Sequence, residues 1–404
     1  MTEQMAPAVA PELEGKAFLG LPRPVFVLSA VSFLTDISSE MIYPLVPLFL
    51  TSVLGTPLAA VGLIEGVAES TASIVKAGSG WISDRLRVRK PLVVAGYGLS
   101  ALAKPLMAAA YVWPAALFVR FLDRGGKGIR TAPRDALVAD LTPEEIRGRA
   151  FGFHRAADTA GAVVGPLIGL GLLAALDQRF RLVFLIAGIP AVAGVVLLSV
   201  LRERKPREEQ PHAEAARVKE LGVGFYLFLG VSLMFALGNS SDAFLILRSK
   251  DLGLSTTEAV TAYVLYNTTY ALLSLPAGIA SDRLGRRNVI GAGFLIFAFV
   301  YLGFAVASGG TYVWPLFAVY GVYMALTDGV GRALVTDFVP ARDRATAIGL
   351  YTGVTGGMIL IASVLAGVLW DTVGASAPFY LGAATAVLAL AGLVTLLPRR
   401  SDRR

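Results

Sequence analysis

The chain has no cysteine, and only two histidines, His154 and His212, among its 404 residues. Disulfides, thiol nucleophiles and cysteine metal sites are therefore excluded, while the redox compartment stays open. Neither histidine lies among carboxylates at transition-metal spacing, so no fixed metal site is predicted. Charge is scarce too, with Asp, Glu, Lys and Arg at 16% against 55% hydrophobic residues. A nucleophile elbow, an HExxH pair, a phosphate loop and a redox motif are all missing, which sets enzyme chemistry and a resident cofactor aside. The first 22 residues lack the basic start, short apolar core and small-residue cleavage site of a signal peptide. The first apolar block is accordingly read as a retained helix.

What is present is apolar sequence in long blocks. Mean hydropathy is +0.66, and runs of the length needed to cross a bilayer recur along the chain. Twelve spans are expected, near residues 24–52, 58–79, 91–112, 114–138, 148–175, 180–201, 222–248, 258–280, 288–308, 312–334, 344–370 and 375–397. This predicts an all-α integral membrane protein made of two six-helix bundles, 24–201 and 221–397. The bundles are flanked by an N-terminal segment 1–23 and a basic tail 398–404, and joined by a charged linker, 202–220. Lys and Arg crowd alternate connections: Arg85 to Lys90, Arg147 and Arg149, the linker, Arg283 to Arg287, Arg342 and Arg344, and the tail. The positive-inside rule then puts both termini and the linker in the cytoplasm, with the bundles in the cytoplasmic (inner) membrane. The net charge of +7 needs no nucleic-acid partner on this reading.

The halves echo one another. "GWISDRLRVRK" at 80–90 returns as "GIASDRLGRRN" at 278–288, "SSEM" at 38–41 as "SSDA" at 240–243, and "ALVADLTPEEIRGRAFGF" at 136–153 as "ALVTDFVPARDRATAIGL" at 333–350. Three correspondences in one order indicate a duplicated six-helix unit, a plan typical of transporters that bind substrate between repeats.

Gly278, Asp282, Arg283, Gly285, Arg286 and Arg287 resemble the G-x-x-x-D-R-x-G-R-R signature of the major facilitator superfamily. The first-half copy keeps Gly80, Asp84 and Arg85, with Arg87 and Val88 in place of the later glycine and arginine. Gly152, Gly161, Gly165, Pro166 and Gly169 are similar to the antiporter signature of its drug–proton exchangers, with Leu170 where a last glycine is common. Arg120 looks like the family's buried arginine in the fourth span. The resemblance covers residues 24 to 397 and implies the major facilitator fold, a gating role for both Asp-Arg turns, and secondary transport by a monomer. Packing explains the fifth-span glycines about as well as an antiport role does, since they form a small-xxx-small ladder. The glycines Gly349, Gly353 and Gly357 are expected to pack the eleventh span in the same way.

Ionisable groups at membrane depth usually mark pathways or paired networks. The first span carries Asp36 and Glu40, four residues apart and so on one face. Close carboxylates in low dielectric tend to retain a proton, which makes these two proton-coupling candidates. Glu65 and Glu69 in the second span are a second such pair, with Lys76 on the same stripe as their expected partner. Lys76, Lys104 in the third span and Asp158, beside His154 in the fifth, are cavity candidates of the first half; a pH-sensing role for His154 is the weaker reading. In the second half, Asn239, Asp242, Tyr266, Asn267, Tyr270, Asp328 and Tyr351 are the cavity candidates, and Asp328 is spaced to pair with Arg332. The first half is thus expected to handle protons and the second to share substrate contacts.

The fourth span ends in "DRGGKGIRTAPRD", with six charges in residues 123–135. Arg120, Asp123, Arg124, Lys127 and Arg134 recur at helical spacing and form one stripe, with Arg120 a cavity candidate. The resemblance implies that Asp123, Arg124 and Lys127 belong to the pathway or its inner gate, and Arg130, Arg134 and Asp135 to the cytoplasmic rim. The leading expectation is a proton-coupled exporter of a small amphipathic or cationic compound. Uptake or exchange of an anionic or metal-chelated solute is the rival, since Lys76, Lys104, Arg120, Arg124 and Lys127 could hold a negative group. The acid-rich first spans leave a transported cation open, and a non-transporting sensor on the same fold is the alternative from another class.

Overall fold

The computed structural model describes residues 20–86, 89–143, 146–201, 221–340 and 343–397. The linker with His212, the tail, Arg87, Arg342 and the side chain of Asp84 lie outside the described residues. The first half contains α1 (Arg23–Ile42), α2 (Val46–Ser52), α3 (Leu58–Leu86), α4 (Lys90–Ala108), α5 (Trp113–Asp140), α6 (Arg147–Ala175) and α7 (Phe180–Ser199). The second contains α8 (Val223–Gly238), α9 (Ala243–Asp251), α10 (Thr256–Leu284), α11 (Arg286–Val306), α12 (Val313–Val335), α13 (Arg344–Thr372) and α14 (Ala377–Leu396). The pairs α1–α2 and α8–α9 are each one interrupted span, so the helices make the twelve expected spans. The end where α1 begins and α14 finishes is called basal here, and the opposite end distal.

Ten spans are long and apolar enough to cross a bilayer by composition alone. The other two are α5, with its charged stripe, and α10, rich in Thr, Ser, Tyr and Asn. Their polarity is accommodated because the polar faces turn inward, away from lipid.

The two interruptions have local causes. In the first span Tyr43–Leu45 tightens into a 3-10 turn. Pro44 has no N–H to donate to the carbonyl of Glu40, four residues back, so regular α-helix cannot pass through it. In the seventh span the chain leaves the helix at Asn239 and re-enters at Ala243. Irregular backbone at membrane depth requires partners, and here the Ser241 N–H donates to Ser363 Oγ at 3.1 Å. Neither break was expected from the apolar blocks, because Asn, Ser and Pro are all tolerated within them.

Each half packs by the same scheme. In the first, α3 packs on α5, α1 on α6 and α7, and α4 on α5 and α7; in the second, α10 packs on α12, α8 on α13 and α14, and α11 on α12 and α14. Across the halves α3 packs on α13 and α10 on α6. The α3–α13 seam is tight at the distal end, where a Cβ on Gly62 would come within 2.1 Å of Ser363 O and one on Gly367 within 2.2 Å of Leu58 O. Ser70 Oγ donates to Gly356 O at 2.9 Å further along. Asp371, at the end of α13, accepts from the backbone N–H groups of Leu58 and Ala59 at 3.2 and 2.8 Å. Those are among the orphan donors of the first turn of α3, so one bundle caps a helix of the other.

Basal of Gly356 the seam parts. Gly78, Gly349 and Gly353 there, and Gly357 one residue distal of Gly356, all have open space where a Cβ would point. The last three therefore do not pack a neighbouring helix, contrary to the expectation from their spacing. The bundles therefore meet along the distal part of the α3–α13 seam and part toward its basal end.

Candidate functional site

The Asp-Arg turns lie at the basal end. Gly285 joins α10 to α11 with φ +88°, a conformation that only glycine adopts without strain, which explains the glycine of the second-half signature. Arg286 Nη1 reaches Asp337 at 2.6 Å and the Ala333 carbonyl at 2.9 Å, while Arg287 donates to the Leu393 and Val394 carbonyls at 3.1 and 2.7 Å. Both arginines hold the turn to their own bundle. Asp282 and Arg283 are exposed, as is Arg85 in the first copy; Gly80 lies against Ala132 of α5, and Gly278 faces open space.

The charged stripe of α5 has its partners at mid-depth. Arg120 donates from Nε and Nη2 to Glu65 Oε1 and Oε2 at 3.1 and 2.5 Å, a bidentate pair with both side chains 2% exposed or less. One turn on, Arg124 pairs with Glu69 at 2.9 Å. Asp123 accepts from Lys104 Nζ at 3.0 Å and lies 3.9 Å from Arg120, and Lys104 also donates to Ser39 Oγ at 3.2 Å. The expected pairing of Glu65 and Glu69 with Lys76 is therefore corrected: two i,i+4 acids on α3 meet two i,i+4 arginines on α5, while Lys76 lies nearly two turns basal of Glu69 on its own helix. Neither Lys76 nor Lys127 is within ion-pair distance of a described acid, and Lys127 is exposed in spite of its position well inside α5.

The acids of α1 behave otherwise. Glu40 accepts from the Tyr263 hydroxyl of the other bundle at 3.2 Å, and Asp36 makes no side-chain hydrogen bond or ion pair with a described residue. Both lie against the glycine ladder of α6. A Cβ on Gly161 would meet Asp36 Cβ at 2.9 Å, one on Gly165 would meet Glu40 Cβ at 2.9 Å, and one on Gly169 would meet Met41 O at 2.4 Å. The ladder brings the α1 and α6 backbones together at the two unpaired acids. Gly152 faces open space, and α6 runs as one helix through Pro166.

In the second half, the break places Asp242 before a group of tyrosines. Its carboxylate accepts from Tyr320 at 2.7 Å and Tyr266 at 3.2 Å, with no described cation in ion-pair range. Asn239 Nδ2 donates to Tyr323 Oη at 3.2 Å. Tyr270 and Arg332 both donate to Asp328 Oδ2 at 2.9 Å, so the expected Asp328–Arg332 pair is present and shared with a phenol. Asn267 bonds the Tyr263 carbonyl of its own helix at 3.0 Å. Tyr351 stacks on Phe228 at 5.6 Å and serves packing.

Several residues of this centre were not among the sequence candidates. Tyr43, at the first break, has its ring 5.6 Å from the Arg120 guanidinium, 5.1 Å from that of Arg124 and 5.7 Å from the Tyr263 ring. Tyr263 and Tyr320 supply hydroxyls to the acids. Tyr43 had a signal in the adjoining Pro44; the other two had none beyond tyrosine in a polar span. Asp158, in contrast, stands apart from this centre, in a polar cluster near the basal end of the first bundle.

What the arrangement offers chemically is two kinds of acid. Glu65, Glu69 and Asp123 are held by arginine or lysine, whereas Asp36, Glu40 and Asp242 meet only hydroxyls or nothing and can gain or lose a proton without breaking an ion pair.

Comparison with known proteins agrees with the fold. The chain matches the Major Facilitator Superfamily model over residues 28–247 and 227–404. It is 36% identical over 382 residues to an MFS-type transporter of Methanocaldococcus jannaschii, spanning 93% of this chain and 95% of that one. A multidrug resistance protein, MdtH, of Cronobacter sakazakii is 35% identical over 144 residues, 35% of each chain. The crystal structure of a POT peptide transporter in complex with alafosfalin superimposes with a TM-score of 0.78 at 17% identity, covering 94% of this chain and 96% of that one. Two repeats of one packing scheme, twelve membrane spans and these matches lead to one assignment: the chain is a multi-pass membrane transporter that belongs to the major facilitator superfamily.

Proposed function

We propose that the protein is a proton-coupled antiporter that exports a small amphipathic or cationic compound by alternating access between its two bundles. The observation that carries this reading is the pair Asp36 and Glu40, acids without a cationic partner where α1 lies against the glycine ladder of α6. Glu65 and Glu69, candidates on spacing, are assigned to structure because arginines hold them. Asp242 adds an anionic group without a cation in the second bundle, which favours a positively charged cargo. The local likeness to a multidrug resistance protein points the same way. Seated with its arginine-rich connections inward, the chain lies in the cytoplasmic membrane with both termini in the cytoplasm, and the basal opening faces the cell interior.

One observation favours the rival cargo. Lys127 is exposed and has no ion-pair partner among the described residues, as an anion site requires. A substrate screen in reconstituted vesicles under an imposed pH gradient, with a pH dye inside, decides between them. Export reading predicts proton movement on addition of organic cations, abolished by Asp36→Asn or Glu40→Gln with folding intact. Intact proton coupling in both variants removes α1 from the mechanism, and loss of activity in Lys127→Gln alone moves the assignment to anions.

A further inference from the structure

Near the basal end of the first bundle, α1, α4, α5 and α6 enclose a polar cluster that the central site does not use. His154 is 3% exposed. Its Nδ1 lies 3.3 Å from Ser29 Oγ and its Nε2 3.4 Å from Ser32 Oγ. Ser32 Oγ accepts from Arg134 Nη1 at 2.8 Å and lies 2.9 Å from Tyr97 Oη. Asp158, one turn along α6, places Oδ2 3.6 Å from Arg134 and Oδ1 3.8 Å from His154 Nε2. That Oδ1 is buried and has no hydrogen-bond partner.

Donor accounting gives the imidazole two self-consistent states. Arg134 donates to Ser32 Oγ, and Tyr97 can do the same. The single Ser32 proton is then free for His154 Nε2, with Nδ1–H directed to Ser29. In this neutral state Asp158 Oδ1 is left unsatisfied, which buried polar atoms rarely are. A proton on Nε2 turns that nitrogen into a donor facing Asp158 Oδ1, at a distance that a small side-chain movement or one water closes. The unsatisfied oxygen is the acceptor that the second state needs.

Asp36 completes the geometry. Ser29, Ser32 and Asp36 share one face of α1. Asp36 packs against Gly161, one turn beyond Asp158 on α6. We propose that His154 and Asp158 form a second proton-binding site, one turn basal of Asp36, which exchanges its proton with Asp36 during turnover. In that exchange the Nε2–H bond breaks as an O–H bond forms on Asp158, and that O–H bond then breaks as one forms on Asp36, leaving His154 neutral and Asp158 ionised; the reverse steps restore the imidazolium. The charged and titratable groups facing the cluster are Asp36 from α1, Tyr97 from α4, Lys127, Arg130, Arg134 and Asp135 from α5, and Arg155 and Asp158 from α6. Arg130 is occupied by the Tyr97 ring at 4.5 Å and by Ser100 Oγ at 2.7 Å, and Asp135 by Arg134 at 2.9 Å, so Asp158 and Asp36 are the acids left to answer the imidazole.

The proposal rests on the assignment of Asp36 as a proton carrier but is read without transport. The test is 15N NMR of histidine-labelled full-length protein in lipid nanodiscs, carrying His212→Asn so that His154 is the single histidine. The ring is expected to pass from neutral to imidazolium as the pH is lowered through the acidic range. At the midpoint pH, Asp158→Asn should lower the imidazolium fraction about fivefold, the effect of losing an opposite charge at this range. Asp36→Asn should lower it about twofold. A ring that stays neutral throughout, or a fraction unchanged in both variants, overturns the proposal, and the first readout needs no substitution in the cluster. If the NMR result holds while Asp36→Asn leaves proton-coupled flux intact, the cluster stands as a proton site and the antiport mechanism through α1 is what fails.

Discussion

Removing the Asp371 carboxylate should release the distal gate without touching the cavity. In the basally open state Asp371 caps the first turn of α3 across the bundle interface, through hydrogen bonds of 3.2 and 2.8 Å to the N–H groups of Leu58 and Ala59. On the proposed mechanism alternating access opens the distal seam, so these bonds exist in one state and not in the other. The groups are exposed, which limits the charge contribution, and loss of an N-cap acceptor costs about 1 kcal/mol. Asp371→Ala is therefore expected to shift the equilibrium toward the distally open state about fivefold. Asparagine keeps an acceptor and loses only the charge, so Asp371→Asn should shift it about twofold at most. The absence of cysteine makes the measurement clean: Val53→Cys and Val373→Cys place exposed spin labels at the distal ends of opposite bundles. Double electron–electron resonance should show a longer-distance population that grows from the parent to Asp371→Asn to Asp371→Ala. Identical distance distributions in all three would refute the view that the trans-cap contributes to gate closure.

Other perturbations separate structure from transport. Glu65→Gln leaves the Arg120 guanidinium buried beside a neutral partner and should cost about 3–5 kcal/mol, read as a lowered unfolding temperature in detergent. Glu69→Gln should cost less, because Glu69 is 29% exposed and water can replace it beside Arg124. Gly169→Ala drives a methyl into Met41 O and should destabilise the first bundle by about 1–3 kcal/mol, whereas Gly353→Ala, facing open space, should be neutral in the same melt. Tyr320→Phe removes the shorter of the two hydrogen bonds to Asp242; if that carboxylate contacts a cationic cargo, the apparent affinity for it should change while Asp36-dependent proton movement persists.

The fold was readable because its determinants are long-range in composition and short-range in pattern. Apolar blocks gave spans whose ends fall within a few residues of the helices over most of the chain, and the repeated Asp-Arg turn announced the duplication. Breaks in the first and seventh spans were hidden, since a proline and an Asn-Ser-Ser run barely alter hydropathy. For the site, periodicity put the α5 charges on one stripe but assigned partners within α3, because spacing along one helix says nothing about the helix opposite. The Asp328–Arg332 pair was legible because both partners share a helix. Tyr263 and Tyr320 were not, because a tyrosine hydroxyl acquires its role only from the acid that tertiary packing brings to it.

The distribution of partners also bears on how proton and gate are connected. Glu65–Arg120, Glu69–Arg124 and Asp123–Lys104 tie α3, α4 and α5 into one charged lattice, in which changing one protonation state strands a buried opposite charge. Such a lattice suits a rigid body better than a proton carrier. α1 is joined to α6 at these acids by backbone-to-backbone contact at glycines, so its acids can change charge without dismantling that contact. On the proposed function Glu40 is then the point where charge meets gating, because its hydroxyl partner, Tyr263, belongs to the other bundle and to the buried distal half of α10. On the proposed mechanism, ionised Glu40 holds Tyr263 and favours the distally closed state, and a neutral carboxyl, a weaker acceptor, loosens that hold. The distal gate would thus sense proton occupancy through one interbundle hydrogen bond, while the Asp371 cap supplies a closing contribution that charge on α1 does not alter.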